Sequence, residues 1–483
     1  PGVFADRYRG RIPVGVLRTV VPAAPDAWLT ALRTFGTMGF AEVAASAIRL
    51  AREGFPADPI LARSSARYAR YYRRFEENAR IWLPNGAPIA PGGTFVQADL
   101  ARTLQYMADE ENAARSGGRA AGLEAARAAF YVGDIGRAIV RHIQAEGGWL
   151  SATDMAAYRS PIEPAPSVRF RGETVYSGGL WCQGPVLLQM LKLVEHIGLD
   201  AAPHNAAVYL HRLVEAIKLA FADRETFYGD PDHVAVPLGR LLADDYAAER
   251  LRLFDPERAA PGLPAAGDLP GFGGVPFVKP AAPGTKAVTA DTSVCCAIDR
   301  AGNMFAATPS DASIDAPAVP GLGLVVSTRG SQGFARADHA ASIQPGKRPR
   351  MTACPTMIVT PGGRRFAGGG PGGDGQPQAM LQVLLNRLIG GMNLPAAVEA
   401  PRAISKSFPT SHEPHLYFPG ALALEAPFSD AIRDRLTALG HTILPRANLE
   451  AETPAVCAVE MDGDANGMTG AADPRLSAGV GEI

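Results

Sequence analysis

Three stretches of this 483-residue chain carry residues whose types and spacing suit chemistry. The first is Thr289-Ala290-Asp291-Thr292-Ser293-Val294-Cys295-Cys296-Ala297-Ile298-Asp299, where a Pro- and Gly-rich stretch runs into a Thr at the head of a strand-like segment. A terminal threonine is a self-sufficient nucleophile, because its Oγ1 attacks an amide while its own α-amine takes the proton. That amine is free only if the bond ahead of Thr292 is cut, and a loose upstream tail lets the cut end leave. Thr at a strand start is also common, so an ordinary strand stays open on this evidence. The second stretch is Gly368-Gly369-Gly370-Pro371-Gly372-Gly373-Asp374-Gly375, just ahead of a helical run. Gly368, Gly370 and Gly373 have G-x-G-x-x-G spacing, but no acid near Gly390-Gly391-Met392-Asn393 closes a dinucleotide site. The run is either a tight turn or a set of bare backbone N–H groups offered to an oxyanion. The third is His211 with Glu215, one turn apart on a helix, a spacing that suits a metal. No third ligand stands at matching spacing, and Pro414 breaks any helix through His412-Glu413-Pro414-His415. No metal site and no cofactor is expected.

The elements that must position these residues fall into two regimes. Apolar residues recur every three or four positions through 23–36, 40–53, 58–80, 97–115, 121–146, 184–198, 204–224 and 242–252, which predicts helices. A short helix opens at Thr153-Asp154, and the alternation across 165–178 predicts strands. Residues 255–290 are dense in Pro, Gly and Ala without periodicity and read as a flexible tail. Beyond them the character turns to β: Val288–Ile298, Met304–Thr308, Leu322–Thr328, Thr356–Thr360 and Val456–Glu460, with a hairpin turn at Asp299-Arg300-Ala301-Gly302. Helices are expected at 375–391, 395–401 and 428–439.

The bulk properties exclude some functions. With 47 basic and 48 acidic side chains the net charge is −1, so nucleic acid and membrane surfaces are not expected partners. No stretch has the length and apolarity of a membrane span. The five cysteines include the adjacent Cys295-Cys296 and make no disulfide framework; they read as buried free thiols. Unpaired cysteines and no visible signal sequence favour the cytoplasm, with the periplasm or secretion as the alternative.

Several blocks in order resemble the γ-glutamyltransferase family of self-cleaving N-terminal-nucleophile hydrolases. They are Gly147-Gly148-Trp149-Leu150-Ser151 through Asp154-Met155-Ala156-Ala157-Tyr158; Glu215-Ala216 with Phe221-Ala222-Asp223-Arg224 and Tyr228-Gly229-Asp230-Pro231-Asp232; Asp291-Thr292; Pro345-Gly346-Lys347-Arg348-Pro349; Pro371-Gly372-Gly373; Ala400-Pro401-Arg402; and Ala472-Asp473-Pro474-Arg475. The resemblance implies a mixed α/β chain with a four-layer αββα sandwich. It implies autocleavage between Asp291 and Thr292, giving a large subunit (1–291, ending in the 255–290 tail) and a small one (292–483) intertwined in one structural unit, with a dimer of such heterodimers as one outcome. It makes Thr292 the nucleophile, places Ser310 where the family has a supporting Thr, and puts Gly372 and Gly373 on the oxyanion-hole glycines. Family members carry a further segment ahead of Pro1, so the chain is expected to be a piece of a longer precursor with part of its core open.

The departures concern the acyl group. Thr292 is followed by Ser293-Val294 and not Thr-His. Arg350-Met351-Thr352 replaces a Ser-Ser pair that holds the glutamyl carboxylate, and Met351 cannot donate a hydrogen bond. An Asn of the glutamyl site falls at Ala312. The acidic pair that binds the α-ammonium falls in Arg329-Gly330-Ser331-Gln332, which has no acid. Arg329 would attract a carboxylate instead. The stretch around Thr308-Pro309-Ser310-Asp311 and Ser327–Gln332 looks similar to family members that hydrolyse oxamate. The expected substrate is therefore a small carboxylate-bearing amide, read by Arg329, Ser331, Gln332 and Thr352. γ-Glutamyl transfer or hydrolysis, a glutaryl-type acylase and an uncut binding or scaffold relative are the alternatives.

Overall fold

Val186-Leu187-Leu188-Gln189-Met190-Leu191-Lys192-Leu193-Val194 leaves no wide polar face, so the helix that contains it, Gly184–His196, is buried from Gly184 to Val194. It packs on the strands Ser167–Phe170 and Glu173–Ser177 and against the helices Ala207–Phe227 and Gln376–Leu388. The computed structural model describes residues 1–282, 285, 291–463 and 467–482, with backbone alone at Asp291. The upstream end of the expected strand Val288–Ile298 and the last residues of the 255–290 tail lie outside the described residues.

Beneath those helices lies a six-stranded antiparallel sheet in the order Met468–Ala471, Cys457–Met461, Arg365–Gly369, Thr356–Val359, Glu173–Ser177, Ser167–Phe170. Glu173–Ser177 pairs with Thr356–Val359, so segments from both sides of Thr292 share one sheet. The hairpin Cys295–Ile298 and Met304–Ala307 packs on this sheet as a second layer, against Arg365–Gly369 and Cys457–Met461. Its turn is the expected one: Gly302 N–H donates to the Asp299 carbonyl at 2.9 Å, with Gly302 at φ 80°. A further small sheet joins Ala403–Ser405 antiparallel and Thr442–Arg446 parallel to Ala421–Glu425. These elements belong to one compact unit, Pro1–Arg11, Glu163–Ser310 and Gln332–Ile483.

A second unit comprises Ile12–Ile162 and Asp311–Ser331. Its helices Ala24–Phe35, Phe40–Glu53, Ala98–Ala113, Arg119–Tyr131 and Asp134–Ala145 close on a core that includes Leu29, Phe40, Ile48, Met107, Leu123 and Ile139. Val319 and Val326 of the returning segment join that core. Buried Asn78 fastens the segment, donating to the carbonyls of Ser313 (2.7 Å) and Ala316 (3.0 Å) and accepting from Ala318 N–H (2.7 Å). Each unit therefore draws on chain from both sides of Thr292. Neither unit is bounded at residue 292.

Other expectations shift locally. The run 121–146 is two helices, because Gly133 closes Arg119–Tyr131 and precedes the N-terminal acid of Asp134–Ala145. The run 58–80 is also two, Pro59–Tyr72 and Glu76–Trp82, with Asp58 capping the first through Ile60 N–H at 2.7 Å. The expected strand Leu322–Thr328 shrinks to Leu324–Val325, paired with Ala318–Val319. Among its described residues the tail lacks helix and is pinned: Gly267 N–H bonds Asp223 Oδ1 (2.9 Å), Leu263 N–H bonds the Tyr417 hydroxyl (2.7 Å) and Gly274 N–H bonds the Thr226 carbonyl (2.7 Å). Cys295 is exposed and not buried, while burial pushes the thiols of Cys182 and Cys354 up to about 12.

Candidate active site

Thr292 ends the two-residue strand Asp291–Thr292, which pairs with Ser310–Asp311. Ser293 N–H donates to the Pro309 carbonyl at 2.9 Å and fixes the register. The pairing sets Thr292 Oγ1 2.6 Å from Ser310 Oγ, a close hydroxyl–hydroxyl hydrogen bond at a half-buried position. The glycine run reaches the same strands. A Cβ on Gly369 would stand 2.9 Å from Thr308 Oγ1 and 3.2 Å from Val294 Cγ2, so only a bare backbone allows this approach. Gly372 and Gly373 both have positive φ, 137° and 54°, and a Cβ on Gly372 would meet Pro454 Cβ at 2.5 Å. A 3-10 turn, Gly373–Gly375, then leads into the helix Gln376–Leu388. Successive glycines of this shape at a helix start form a concave backbone suited to an anion.

Asp374, next to Gly373, is the most heavily bonded carboxylate here. Its Oδ1 takes the Arg224 guanidinium, Gln183 Nε2 (2.9 Å) and Ser411 Oγ (2.5 Å), and its Oδ2 takes Ser411 N–H (2.8 Å). Burial works to raise this carboxyl, but Arg224 and the Ser411 bonds outweigh it and hold it below the ordinary range. Arg224 is itself fully buried, bonded to Glu225 Oε1 and the Pro409 carbonyl (2.8 Å) beside the stacked rings of Phe221 and Phe408. Glu225 also takes Arg350 at 2.8 Å. Burial opposes ionisation of Glu225, yet Arg350 and Arg224 hold it well below the usual carboxylate range.

The remaining expected site residues separate into two groups. Gln332 Nε2 donates to Thr352 Oγ1 at 3.3 Å and lies 3.0 Å from His412 Nε2. Arg329 and Ser331 lie in the 3-10 turn Arg329–Gln332, both buried, with Arg329 Nε 4.0 Å from Asp311 Oδ1. Met351 N–H is used by the Trp181 carbonyl at 2.7 Å. The side chain of Asp291 lies outside the described residues. Sequence reasoning missed Asp374, Gln183, Ser411 and His412. The signal for Asp374 was its place directly after two glycines that need a fixed shape.

The gamma-glutamyltranspeptidase family pattern matches residues 4–482. This chain belongs to that family. It is 30% identical over 437 residues to the Acylase ACY 1 proenzyme of Pseudomonas sp. (strain SE83), covering 89% of this chain and 70% of that one. The solved structure of LmbA2991HD matches with a TM-score of 0.87 at 32% identity, covering 98% of this chain and 83% of that one. Cephalosporin acylase from Bacillus halodurans matches with a TM-score of 0.80 at 25% identity, covering 98% and 80%. Further relatives are the glutathione hydrolase-like YwrD proenzyme of Bacillus subtilis (strain 168), 27% identical, and the oxamate amidohydrolase proenzyme of Klebsiella pneumoniae subsp. pneumoniae, 26% identical. The mixed α/β architecture is thus the αββα sandwich of the N-terminal-nucleophile hydrolases, and the protein is an enzyme of the amidohydrolase type. Three of these relatives are named proenzymes, which implies cleavage of a single precursor. Among the described residues no helix is long and apolar enough to cross a membrane.

In this member of the family the fold completes a cluster that the sequence left open. His441 joins His211 and Glu215, with ligand-capable atoms of all three within 4.8 Å. Lys218 Nζ lies 2.7 Å from Glu215 Oε1 and supplies a positive partner for that carboxylate. His211 Nε2 faces the Asp255 carbonyl at 2.9 Å, so it carries the proton, and Nδ1 accepts from His441 Nε2 at 3.0 Å. Burial, then Lys218 and His211, pulls His441 down to about 3; burial likewise pulls His415 down to about 4. Both imidazoles stay neutral in the fold while the unfolded chain takes up protons below the ordinary histidine value. Stability should therefore be full above about pH 6.5 and fall as pH drops below it, by roughly 2 kcal/mol per histidine at pH 5. Urea midpoints at pH 7.5 and pH 5 check this; His441→Asn should remove about half of the difference, His415 supplying the rest, and equal midpoints for the wild type would refute it.

Proposed function

We propose that this enzyme cuts itself between Asp291 and Thr292 and then hydrolyses a small carboxylate-bearing amide, with oxamate as the leading substrate. The observation that carries the reading is the 2.6 Å Thr292–Ser310 hydroxyl pair on strands that the glycine run abuts. In self-cleavage, Thr292 Oγ1 attacks the Asp291 carbonyl carbon, and the C–N bond breaks as an ester forms. Water hydrolyses the ester, leaving a carboxylate on Asp291 and a free amine on Thr292. In turnover that amine takes the Oγ1 proton while Oγ1 bonds the substrate carbonyl carbon. The Ser310 hydroxyl orients Oγ1. Backbone N–H groups of Gly372 and Gly373 stabilise the oxyanion, an effect of roughly 3 kcal/mol per donor. Collapse expels ammonia, which takes the proton back from the amine. Water, deprotonated by the same amine, then releases the acyl group as an acid and restores Thr292. No cofactor enters these steps.

The substrate class rests on the acyl side. The stretch Arg329-Gly330-Ser331-Gln332 offers an ammonium no acid, and Arg329 supplies the charge that a carboxylate needs. Gln332 and Thr352 add polar contacts of that class. The acylase names among the relatives support a second reading, a longer ω-carboxyl acyl group such as glutaryl. Intact mass should show two fragments, the second beginning at Thr292, and the mature enzyme should then meet oxamate, a glutaryl amide and a γ-glutamyl anilide. A carboxylate-bearing amide should exceed the γ-glutamyl anilide in kcat/KM by at least roughly 100-fold, because an ammonium without a partner is strongly rejected. The reverse order would return the enzyme to γ-glutamyl chemistry. An uncut chain that turns over none of the three would make it a binding or scaffold relative.

A further inference from the structure

We infer that Asp374 is a positioning residue: its carboxylate, gripped by Arg224, Gln183 and Ser411, holds the Gly372-Gly373 turn in the shape that presents N–H groups to the oxyanion. The inference rests on the reading of those glycines as oxyanion donors. Two glycines in succession at positive φ have many other conformations open to them. One flank of the turn is fixed by packing. A Cβ on Gly372 would strike Pro454, a Cβ on Gly370 would overlap the Ala455 carbonyl, and Ala455 N–H bonds the Pro371 carbonyl at 3.1 Å. Gly373 itself has open space around it, and although Gly375 again abuts Pro454, the side chain that anchors the turn between them does so by charge. Asp374 is the first residue after the glycines with a side chain, and four donors from three separate segments converge on it.

Those donors are themselves immobile. Gln183 sits at the head of the buried helix Gly184–His196. Arg224 ends the helix Ala207–Phe227, locked by Glu225, the Pro409 carbonyl and the rings of Phe221 and Phe408. Ser411 contributes both its N–H and its hydroxyl. The turn is thereby referenced to rigid elements, as a preorganised oxyanion site requires, since reorganisation at the moment of reaction would cost rate.

Asp374→Asn tests this because it keeps the shape and inverts one contact. Whichever way the amide turns, its NH2 faces a donor, either Ser411 N–H or the Arg224 and Gln183 groups. Ser411→Ala is the gentler variant, leaving Arg224 and Asp374 paired. Each is assayed for kcat and KM on the best amide substrate and for the Ki of a boronic acid that forms a tetrahedral adduct on Thr292 Oγ1, with turnover referred to the fraction of chain beginning at Thr292. We expect Asp374→Asn to lower kcat by roughly 100-fold with KM within about two-fold, and Ser411→Ala by roughly five-fold, since a small misplacement of reacting groups has effects of this order. The boronate Ki should rise by matching factors. If Asp374→Asn fails to fold, Ser411→Ala decides alone. Folded, cut variants with wild-type kcat and boronate affinity would overturn the inference. Failure of the boronate to bind the wild type would instead overturn the Thr292 reading, which separates the two.

Discussion

Thr292→Ala should purify as one uncut chain and turn over amide at background, a loss on the order of 10^4- to 10^6-fold in kcat. Alanine removes the atom that attacks the Asp291 carbonyl, so neither fragment forms and no terminal amine is created. Thr292→Ser keeps the oxygen and should still cut. Ser310→Ala leaves the nucleophile in place but deletes the hydroxyl 2.6 Å away, so it should slow both cutting and turnover by roughly 10- to 100-fold. None of the three should change the fold much, because the position is half-buried and each substitution removes only a hydroxyl, a methyl or both. Intact mass reports the cut, and progress curves on the preferred amide report the rate. A Thr292→Ala chain that is still broken ahead of residue 292, or keeps more than about 1% of turnover, would remove Thr292 from the mechanism.

Residue type marks Thr292 and the glycine run as candidates, and the family resemblance is what makes Thr292 the proposed nucleophile. The helices of the second unit were legible for a similar reason: Phe40–Glu53 shows one apolar stripe with polar residues around it. Ala421–Glu425 was not, because it is buried on both faces and its Ala-Leu-Ala-Leu run carries no alternation of polarity. Ala207–Phe227 was read as a helix, but not as one buried with its charges. His211, Glu215, Lys218, Asp223, Arg224 and Glu225 are all inside, although charged side chains on a helix ordinarily mark solvated positions. What makes burial tolerable are partners distant in sequence: His441, Arg250, Asp374 and Arg350. No spacing rule links residue 211 to 441 or 224 to 374. The same holds for Asp311–Ser331, held in the second unit by the Asn78 side chain and by Val319 and Val326 in its core, all far from their partners in sequence.

The buried charges make the second large prediction. Glu225→Gln should lower unfolding stability by roughly 3–5 kcal/mol, because breaking a buried pair leaves an uncompensated charge. Glu225 is fully buried and takes both Arg224 and Arg350, with His339 3.6 Å away. Arg224 keeps Asp374 after the change, whereas Arg350 loses its directly bonded carboxylate and keeps the Arg224 carbonyl at 2.9 Å and the face of the Phe334 ring. Burial already draws the Arg350 guanidinium down to about 10, which shows how much that cation depends on Glu225. Glu257→Gln is the control. Its partner Arg435 and the glutamate are both exposed, 55% and 77%, so the pair should contribute less than about 1 kcal/mol. Urea unfolding should give a lower midpoint at unchanged slope for Glu225→Gln and an unaltered curve for Glu257→Gln. The pH dependence separates this network from the histidines. The folded Glu225 pKa lies below its unfolded value, so its contribution is present above about pH 4.3 and is lost only as pH falls through that depressed value. Between pH 7.5 and pH 5 the Glu225→Gln deficit should therefore not shrink, and any change should be a growth, because Glu225 also favours the protonated forms of His339 and His415. A deficit that shrinks over that interval would mean that Glu225 is protonated in the fold, and that Arg224 and Arg350 do not hold it ionised.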